Sequence, residues 1–269
     1  MSSVLRWATN SFSWHPQYNK GQVDVTPERI VAEAAQAGAE GLEIDPERVS
    51  AELLARSGIA LSGSSTGGDL FGPWTPADTA GIVATARAAA ELGADYIFFT
   101  CAPKGGWGQS QEATDEELRR VGSHLNHLGQ QVRAAGVRFA LHNHAAFPAG
   151  LEAELRLIRE FTDPAWVDLY LDIGWAATAG GDPVALIQEF GPRLGGFHFR
   201  NQRGAVPTQT LAEGDLDLAA ILAAIHAVGY SGWGSLELWH REDTEVTRSM
   251  LECQRESLAY LRALWARLE

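Results

Sequence analysis

Residues of metal-ligating type recur at equivalent places along the second half of the sequence. His142, Asp172, His198 and Glu237 each close a short, largely apolar stretch, such as the FAL that precedes His142. Imidazole nitrogens and carboxylate oxygens are ligands for divalent ions such as Mn²⁺, Co²⁺, Mg²⁺ and Zn²⁺. Two carboxylates and two neutral imidazoles nearly balance a 2+ charge, so an ion could sit away from water without stranding charge. The pattern therefore predicts one divalent metal site, provided that the fold brings the four stretches together.

Each of these residues also has an ordinary structural explanation. A single buried histidine is usually hydrogen-bonded within the core. A single Asp or Glu after a strand often caps the next helix. Recurrence on four successive stretches favours a shared metal site over four separate structural roles.

Cap and turn residues divide the chain into a repeating strand-and-helix pattern. Helical stretches begin at Thr or Asp, often followed by proline, and most end at glycine. We predict strands at residues 6–14, 41–44, 59–64, 96–100, 137–143, 167–173, 194–199 and 234–239. The helices between them are predicted to start at Thr26, Asp45, Thr75, Thr114, Asp182 and Asp217, with others over residues 152–161 and 244–268.

This alternation predicts an α/β fold, a single (β/α)8 TIM barrel that spans residues 1–269. The alternative is a doubly wound open sheet, which would normally carry a glycine-rich phosphate loop after its first strand. Here the first strand runs into FSWHP at residues 12–16, which is no such loop. Because barrels of this kind place their chemistry at the carboxyl ends of the strands, the four candidate ligands would meet there.

Composition narrows the classes of partner and compartment. The 269 residues include 21 Lys+Arg and 34 Asp+Glu, a net charge of −13, which opposes binding to the phosphates of nucleic acid. Only two cysteines occur, and no C-x-x-C pair, so a disulfide framework and a thiolate zinc site are excluded. No apolar run is long enough to span a bilayer, and residues 1–14 lack the apolar core of a secretory signal. We therefore expect a cytoplasmic protein with no nucleic-acid or membrane partner. Nothing in the composition excludes a homo-oligomer.

Several motifs resemble those of a known family. The segments LHNH at 141–144, LDIGW at 171–175, AGGDP at 179–183, FHF at 197–199 and GYSGW at 229–233 are similar to those of xylose isomerase-like TIM barrels. This family, also grouped as sugar phosphate isomerases/epimerases, includes ketose 3-epimerases, inosose isomerases and inosose dehydratases. The resemblance covers essentially the whole chain and is strongest from His142 onward. It is specific for the family and weak for the substrate.

The resemblance implies a single divalent ion, with manganese favoured, bound at His142, Asp172, His198 and Glu237. It also implies a small-molecule substrate, a carbohydrate or cyclitol, whose adjacent oxygens chelate the ion. The ion would polarise a carbonyl and stabilise an enediolate while a base moves the proton on the neighbouring carbon. The leading prediction is a divalent-metal-dependent isomerase or epimerase of a sugar, keto-sugar or cyclitol.

Two departures from the ketose 3-epimerases keep a second reaction open. Those enzymes usually carry Glu where this chain has His142, and often D-x-x-H where it has Asp172 and Trp175. Of their paired acid/base glutamates only Glu237 remains, and His144 is the candidate for the second catalytic acid/base. A lyase, either an inosose-type dehydratase or a 3-keto-glycoside deglycosidase, would use the same site for β-elimination. A non-catalytic metal- or sugar-binding barrel is a further alternative that the fold alone leaves open.

Further residues are predicted to contact the substrate. Arg200 should point the same way as His198 by strand alternation and could bind a hydroxyl or a phosphate, although a salt bridge at the rim would also explain it. Glu43 would need a partner if buried, and it could orient His144 or a substrate hydroxyl. Aromatic faces suit the apolar faces of a sugar ring, although loop or core packing is the alternative. The aromatic residues predicted near the barrel mouth are Trp14, Phe71, Trp74, Trp107, Trp175 and Trp239, and the substrate-binding candidates among them are Trp14, Trp107 and Trp175.

Overall fold

A closed barrel of eight parallel strands forms the centre of the protein, as seen in a computed structural model that describes residues 4–16, 25–242 and 244–269. The strands, in chain order, are β1 (Leu5–Asn10), β2 (Gly41–Glu43), β3 (Ala60–Gly68), β4 (Tyr96–Cys101), β5 (Arg138–His142), β6 (Asp168–Asp172), β7 (Leu194–Phe199), β8 (Gln202–Arg203), β9 (Val206–Pro207) and β10 (Gly232–Leu236). Strands β1–β7 pair with their neighbours in sequence, and β10 closes the ring between β7 and β1. The predicted (β/α)8 barrel is confirmed.

Helices connect the strands along the outside of the barrel. They are α1 (Pro27–Ala37), α2 (Ala51–Ser57), α3 (Pro76–Glu91), α4 (Asp115–Ala134), α5 (Pro148–Arg156), α6 (Ile173–Thr178), α7 (Pro183–Phe190), α8 (Leu218–Ala227) and α9 (Met250–Trp265). Thr26, Thr75 and Thr114 cap α1, α3 and α4 with their hydroxyl oxygens, as their positions predict. A π-helical turn, Leu157–Phe161, continues α5. Among the described residues, no helix combines the length and apolarity needed to cross a bilayer.

Several element boundaries differ from the sequence-based prediction: β3 ends at Gly68, α5 begins at Pro148, and β10 spans Gly232–Leu236. Three other boundaries differ because a local cap intervenes. β1 ends at Asn10 instead of residue 14, since the Asn10 side chain accepts a backbone hydrogen bond and starts a 3₁₀ turn. Asp45 caps only a 3₁₀ turn, and α2 begins after Ser50. The last helix begins after Ser249 instead of at residue 244, through a reciprocal cap with Glu252.

A short helix and a short strand pair beside the barrel mouth are not predicted by the sequence pattern. Helix α6 continues β6 directly, because the Asp172 carboxylate accepts a hydrogen bond from Trp175 N–H at 2.7 Å and caps it. The antiparallel pair β8 and β9 follows β7. Below the mouth, Tyr96, Phe98 and Tyr170 fill the barrel interior with Ala140. The interior of the barrel directly below the mouth is therefore filled mainly by aromatic rings.

Candidate active site

The four candidate ligands converge at the carboxyl ends of neighbouring strands. One ligand atom from each of His142, Asp172, His198 and Glu237 lies within 4.8 Å of the others, and all four residues are buried. Asp172 lies directly opposite His198 in the β6–β7 pairing. Glu237 follows β10 and stays hydrogen-bonded to β7, with its N–H 3.1 Å from the Phe199 carbonyl oxygen. The parallel barrel thus brings together residues that lie far apart in sequence.

The hydrogen bonds of the two histidines leave one nitrogen of each facing the cluster. His142 Nδ1 lies 3.2 Å from Thr100 Oγ1, and His198 Nε2 lies 2.8 Å from Glu43 Oε2. The other nitrogens, His142 Nε2 and His198 Nδ1, are 2.9 Å apart and lie within 4.0 Å of cluster carboxylates. Lone pairs and carboxylate oxygens directed at one small volume are stabilised by a cation, so these residues fit a divalent ion.

The two carboxylate oxygens of Asp172 have different surroundings. Oδ2 faces the volume between the candidate ligands, whereas Oδ1 accepts hydrogen bonds from the protein. Its Oδ1 accepts hydrogen bonds from Trp175 N–H and, at 3.0 Å, from Arg200 Nε. Its buried Oδ2 lies 2.9 Å from the same Arg200 nitrogen, accepts no hydrogen bond, and lies 3.8 Å from His142 Nε2. The Asn143 amide donates to the Asp172 carbonyl at 3.0 Å and accepts from the Asp172 N–H at 2.8 Å. Asn143 therefore fixes the Asp172 backbone, while Trp175 and Arg200 fix its carboxylate.

Burial and neighbouring charges set the protonation of the imidazoles. Burial lowers the pKa of His142 to about 4 and that of His144 to about 3. For His198, burial would also lower the pKa, but the carboxylates of Glu237 and Glu43 outweigh it and raise the pKa to about 9. His142 and His144 are therefore neutral near pH 7, whereas the surroundings of His198 favour positive charge.

The acidic groups give the site its charge. Burial would raise the pKa of Asp172, but the Arg200 guanidinium together with the neighbouring His142 and His198 outweighs it and holds the pKa below its usual range. Burial raises the pKa of Glu237 to about 7. With the imidazoles neutral, the ionised carboxylates of Asp172, Glu237 and Glu43 would exceed the single charge of Arg200 by two negative charges. A divalent cation would balance them.

A cavity of about 360 Å³ opens onto the cluster. This volume lies within the roughly 300–1,000 Å³ that is typical of small-molecule sites. His142 and Glu237 of the cluster border it, together with His144 and the aromatic side chains of Phe12, Trp14 and Phe98. The cavity therefore combines the polar groups of the cluster with aromatic side chains, and its lining also includes the charged residues Asp45 and Arg48.

His144 lies at the wall of this cavity, between two indoles. Its ring centroid is 4.7 Å from that of Trp175 and 5.1 Å from that of Trp107. Its Nδ1 is buried with no hydrogen-bond partner. Its backbone N–H donates to Glu154 Oε1 at 3.0 Å. The backbone is therefore held by the protein, while the ring offers an unused nitrogen.

Arg200 forms a buried ion pair and not a salt bridge at the exposed rim. Its side chain is 6% exposed and pairs with Asp172, while its Cζ lies 4.1 Å from the Trp175 ring centroid. A Cβ on Gly174 would lie 2.9 Å from Arg200 Nε, so the glycine makes room for this approach. Arg200 Nη2 is buried and has no hydrogen-bond partner. One donor of the guanidinium is thus unused by the protein, and Arg200 lies outside the cavity lining.

The three tryptophans predicted to contact the substrate lie in different surroundings. Trp175 is not among the residues that line the cavity; its ring contacts that of His144, which does line it, and stacks with Trp239 at a centroid distance of 6.3 Å. Trp107 is 50% exposed at the rim. Trp14 is fully buried, and its indole N–H donates to Glu33 Oε2 at 2.6 Å, so only its ring borders the cavity.

Sequence analysis did not single out several residues that hold the candidate ligands. Thr100 orients His142, Tyr170 lies beneath the cluster, and the Asn10 amide donates to Glu237 Oε1 at 3.3 Å. Their one signal in the sequence is position, since Thr100 lies near the end of a strand and Tyr170 lies two residues before a ligand. Neither feature indicates a partner.

Comparison with known proteins matches the chain to one family of barrels. The xylose isomerase-like TIM barrel family matches residues 31–264. An inosose dehydratase from Lacticaseibacillus casei is 28% identical over 138 residues, which cover 45% of this chain and 46% of that protein. The chain thus spans about half or less of the length of the curated relatives it matches.

Solved structures share the barrel over nearly the whole chain. An L-ribulose 3-epimerase superposes with a TM-score of 0.73 at 18% identity, covering 100% of this chain and 96% of that one. A 3-keto-D-glucoside 4-epimerase from E. coli has a TM-score of 0.72 at 18% identity, covering 96% and 99%. At such identities the likeness shows the fold alone.

Proposed function

The chain belongs to the xylose isomerase-like TIM barrel family, and we propose that it is a divalent-metal-dependent isomerase or epimerase of a sugar, keto-sugar or cyclitol. The observation that carries this proposal is the convergence of His142, Asp172, His198 and Glu237 at the base of a cavity. Manganese is the first ion to test, since imidazole and carboxylate ligands suit it. When bound, a divalent ion stabilises negative charge on adjacent substrate oxygens.

Arg200 and the indoles of the mouth would position the substrate. The unused Arg200 Nη2 can donate to a substrate hydroxyl or carbonyl oxygen. Trp175 carries the guanidinium on its ring, and its own Nε1 is buried with no hydrogen-bond partner. Trp107, in contact with the His144 ring, would shield the reacting carbon from water. These groups offer both hydrogen bonds and apolar faces to a polyhydroxy ring.

Glu237 is the proposed base. Its carboxylate borders the cavity, and Asn10 holds its Oε1. It would remove the proton from the carbon next to the substrate carbonyl and return it to the neighbouring carbon in an isomerisation. An epimerisation needs a second group on the opposite face of that carbon. His144 is the candidate, because it borders the same cavity with an unpartnered nitrogen.

A lyase is the second candidate function, and the pairing of one carboxylate with one imidazole favours it. Two chemically different groups suit a reaction in which one removes a proton and the other assists a departing hydroxyl or alkoxyl group. The inosose dehydratase similarity is in accord with such a reaction. The metal site, Arg200 and the base would keep the same roles.

Proton NMR in D₂O separates the two reactions. The manganese-loaded protein would be incubated with a panel of inososes, ketoses and 3-keto-glycosides. Exchange of a C–H for C–D with the carbon skeleton intact, together with a new isomer, supports the isomerase or epimerase. Loss of water or of the aglycone supports the lyase. Metal binding without C–H exchange in any compound would contradict both and favour a binding protein.

Two variants assign the proton-transfer groups. Glu237→Gln keeps the shape and one oxygen but removes the base, so we expect exchange to fall by at least the ~10²-fold typical of a positioned general base. His144→Ala should be the next most damaging change. Metal content is measured for both as the control. If His144→Ala abolishes exchange while Glu237→Gln only loosens the metal, the base is His144 and the balance moves toward the lyase.

A further inference from the structure

The hydrogen bonding of His198 differs from that of the other imidazole in the cluster. His198 Nε2 points away from the cavity and lies 2.8 Å from Glu43 Oε2, whereas its Nδ1 faces the cluster. An ionised carboxylate has no proton to donate and can only accept hydrogen bonds. This contact therefore requires the proton on Nε2. In the neutral imidazole, the form that binds an ion, Nδ1 then keeps its lone pair.

The nearby Asn10 amide does not compete for this nitrogen. Asn10 Oδ1 accepts the Phe12 N–H at 2.8 Å, which fixes the amide with its NH₂ group toward the site. That nitrogen lies 3.4 Å from His198 Nε2 and 3.3 Å from Glu237 Oε1. Both Asn10 Nδ2 and a protonated His198 Nε2 are donors, so the amide donates to Glu237. The imidazole N–H is left to Glu43.

Glu43 is itself held by a residue from the opposite side of the barrel. The Tyr170 hydroxyl donates a hydrogen bond to Glu43 Oε1, the oxygen that His198 does not use. Both residues are buried, with Glu43 3% and Tyr170 1% exposed. Each carboxylate oxygen therefore has one donor, and the carboxylate cannot turn without losing both bonds.

The space for the Tyr170 ring is built into the neighbouring strand. A Cβ on Gly196 would lie 2.2 Å from a ring carbon of Tyr170, so no other residue fits at that position without displacing the ring. Phe98 stacks on the other side, with ring centroids 4.9 Å apart, and its ring also meets the His198 ring edge-on at 5.0 Å. The ring position is thus fixed independently of its hydroxyl group.

We propose that Glu43 and Tyr170 are positioning residues that act through His198. Glu43 fixes the tautomer and the ring orientation of His198 as an ion ligand, and Tyr170 fixes Glu43. A carboxylate that accepts the distal N–H of a ligating histidine also makes that ligand more basic. The inference rests on the proposed metal site and assigns Glu43 a role other than contact with the substrate.

Cobalt binding measured on the whole protein tests this assignment without any substrate. The Co²⁺ dissociation constant would be determined by equilibrium dialysis, and the visible Co²⁺ spectrum recorded, for wild type, Glu43→Gln, Tyr170→Phe and the double variant. We expect Glu43→Gln to raise the dissociation constant by about 10–100-fold and to change the spectrum. Tyr170→Phe should raise it less. The double variant should match Glu43→Gln alone, because Tyr170 acts only through Glu43.

A buried acid at the other end of the barrel serves as the matched control. Asp168 is 3% exposed, lies on the same strand as Tyr170, and pairs with Arg138 at 2.7 Å. Asp168→Asn should lower the thermal midpoint and leave Co²⁺ affinity and spectrum unchanged. An equal loss of affinity in this variant would show that Glu43→Gln acts through general destabilisation, and would overturn the inference.

The remaining outcomes distinguish the inference from the proposed function. A wild-type protein that binds no Co²⁺ or Mn²⁺ contradicts the metal site itself. A wild type that binds Co²⁺, with a folded Glu43→Gln of equal affinity and spectrum, contradicts only the role of Glu43. Additive losses in the double variant would refute the coupling to Tyr170. If Glu43→Gln does not fold, Tyr170→Phe decides, since an unchanged dissociation constant and spectrum there would refute the proposal.

Discussion

The carboxyl group of Glu154 gives a quantitative test of the electrostatics around the loop that carries His144. Glu154 is 4% exposed, and its Oε1 accepts hydrogen bonds from the N–H groups of His144 at 3.0 Å and Ala145 at 3.3 Å. Burial raises the pKa of Glu154 to about 8, against the opposing effect of these two bonds. We therefore expect this carboxyl group to be protonated in the folded protein at neutral pH.

The raised pKa links stability to pH with a definite sign. In the unfolded chain the pKa returns to about 4.5. Between that value and about 8, the folded protein keeps a proton that the unfolded chain has released, so the free energy of unfolding falls as the pH rises. Above the folded pKa both states are ionised and the loss is complete. At ~1.4 kcal/mol per unit of pKa difference, the full loss approaches about 5 kcal/mol.

Glu154→Gln isolates this contribution. Glutamine keeps an oxygen for the two backbone N–H groups and cannot ionise. The free energy of unfolding would be measured by urea titration for both proteins at pH 6 and pH 9. We expect wild type to lose about 3 kcal/mol more than Glu154→Gln over this interval. Glu152→Gln, on the same helix with a side chain 61% exposed, controls for the removal of a carboxylate.

Parallel pH profiles for wild type and Glu154→Gln would refute the reasoning. They would show that the carboxylate is already ionised in the folded protein. In that case the two backbone hydrogen bonds to Glu154 would outweigh its burial. A profile shared by Glu152→Gln and Glu154→Gln but not by wild type would instead assign the effect to net charge.

Three further predictions concern the metal and the substrate. Adding Mn²⁺ at ~100 times its dissociation constant should stabilise the fold by about 2.7 kcal/mol, seen in calorimetry as a higher thermal midpoint that a chelator reverses; an unchanged midpoint would contradict the site. Metal analysis should find about one divalent ion per chain in wild type and strongly reduced content in Asp172→Asn or His198→Ala, because each removes a candidate ligand; stoichiometric metal in the double variant would disprove the ligand set. Arg200→Lys should slow turnover of the true substrate at unchanged metal content, because an ammonium cannot reproduce the planar guanidinium, and unaltered kinetics would leave Arg200 with a purely structural role.

Much of the architecture follows from signals that are local in the sequence. Thr26, Thr75 and Thr114 begin helices because their hydroxyl groups satisfy backbone N–H groups three residues ahead, which no distant residue needs to confirm. The alternation of such helices with short apolar stretches suffices to predict a parallel barrel. In a parallel barrel all strand ends meet, so His142 and Asp172 could be expected in one cluster before any contact was known.

Local rules also explain where the predicted boundaries failed. Asp45 followed by Pro46 has the features of a helix start, but these residues begin only a 3₁₀ turn, and Ser50 begins the helix. Asp172 was predicted as a ligand, and it is also the cap of an additional helix, α6. In the first case two possible caps lie within a few residues of each other, and in the second, one residue has two roles. The sequence pattern alone does not show which cap begins the helix or that a residue has a second role.

Only the tertiary structure decided which side chains hold the candidate ligands. Glu43 could be expected to need a partner, but its partners, Tyr170 and His198, lie 127 and 155 residues away in the sequence. The unused donor of Arg200 and the space that Gly196 leaves for a ring likewise depend on the neighbouring strand and its register. Capping is set by backbone groups within one turn, whereas hydrogen-bond partners across a barrel depend on strand register and shear, which no short segment of sequence encodes.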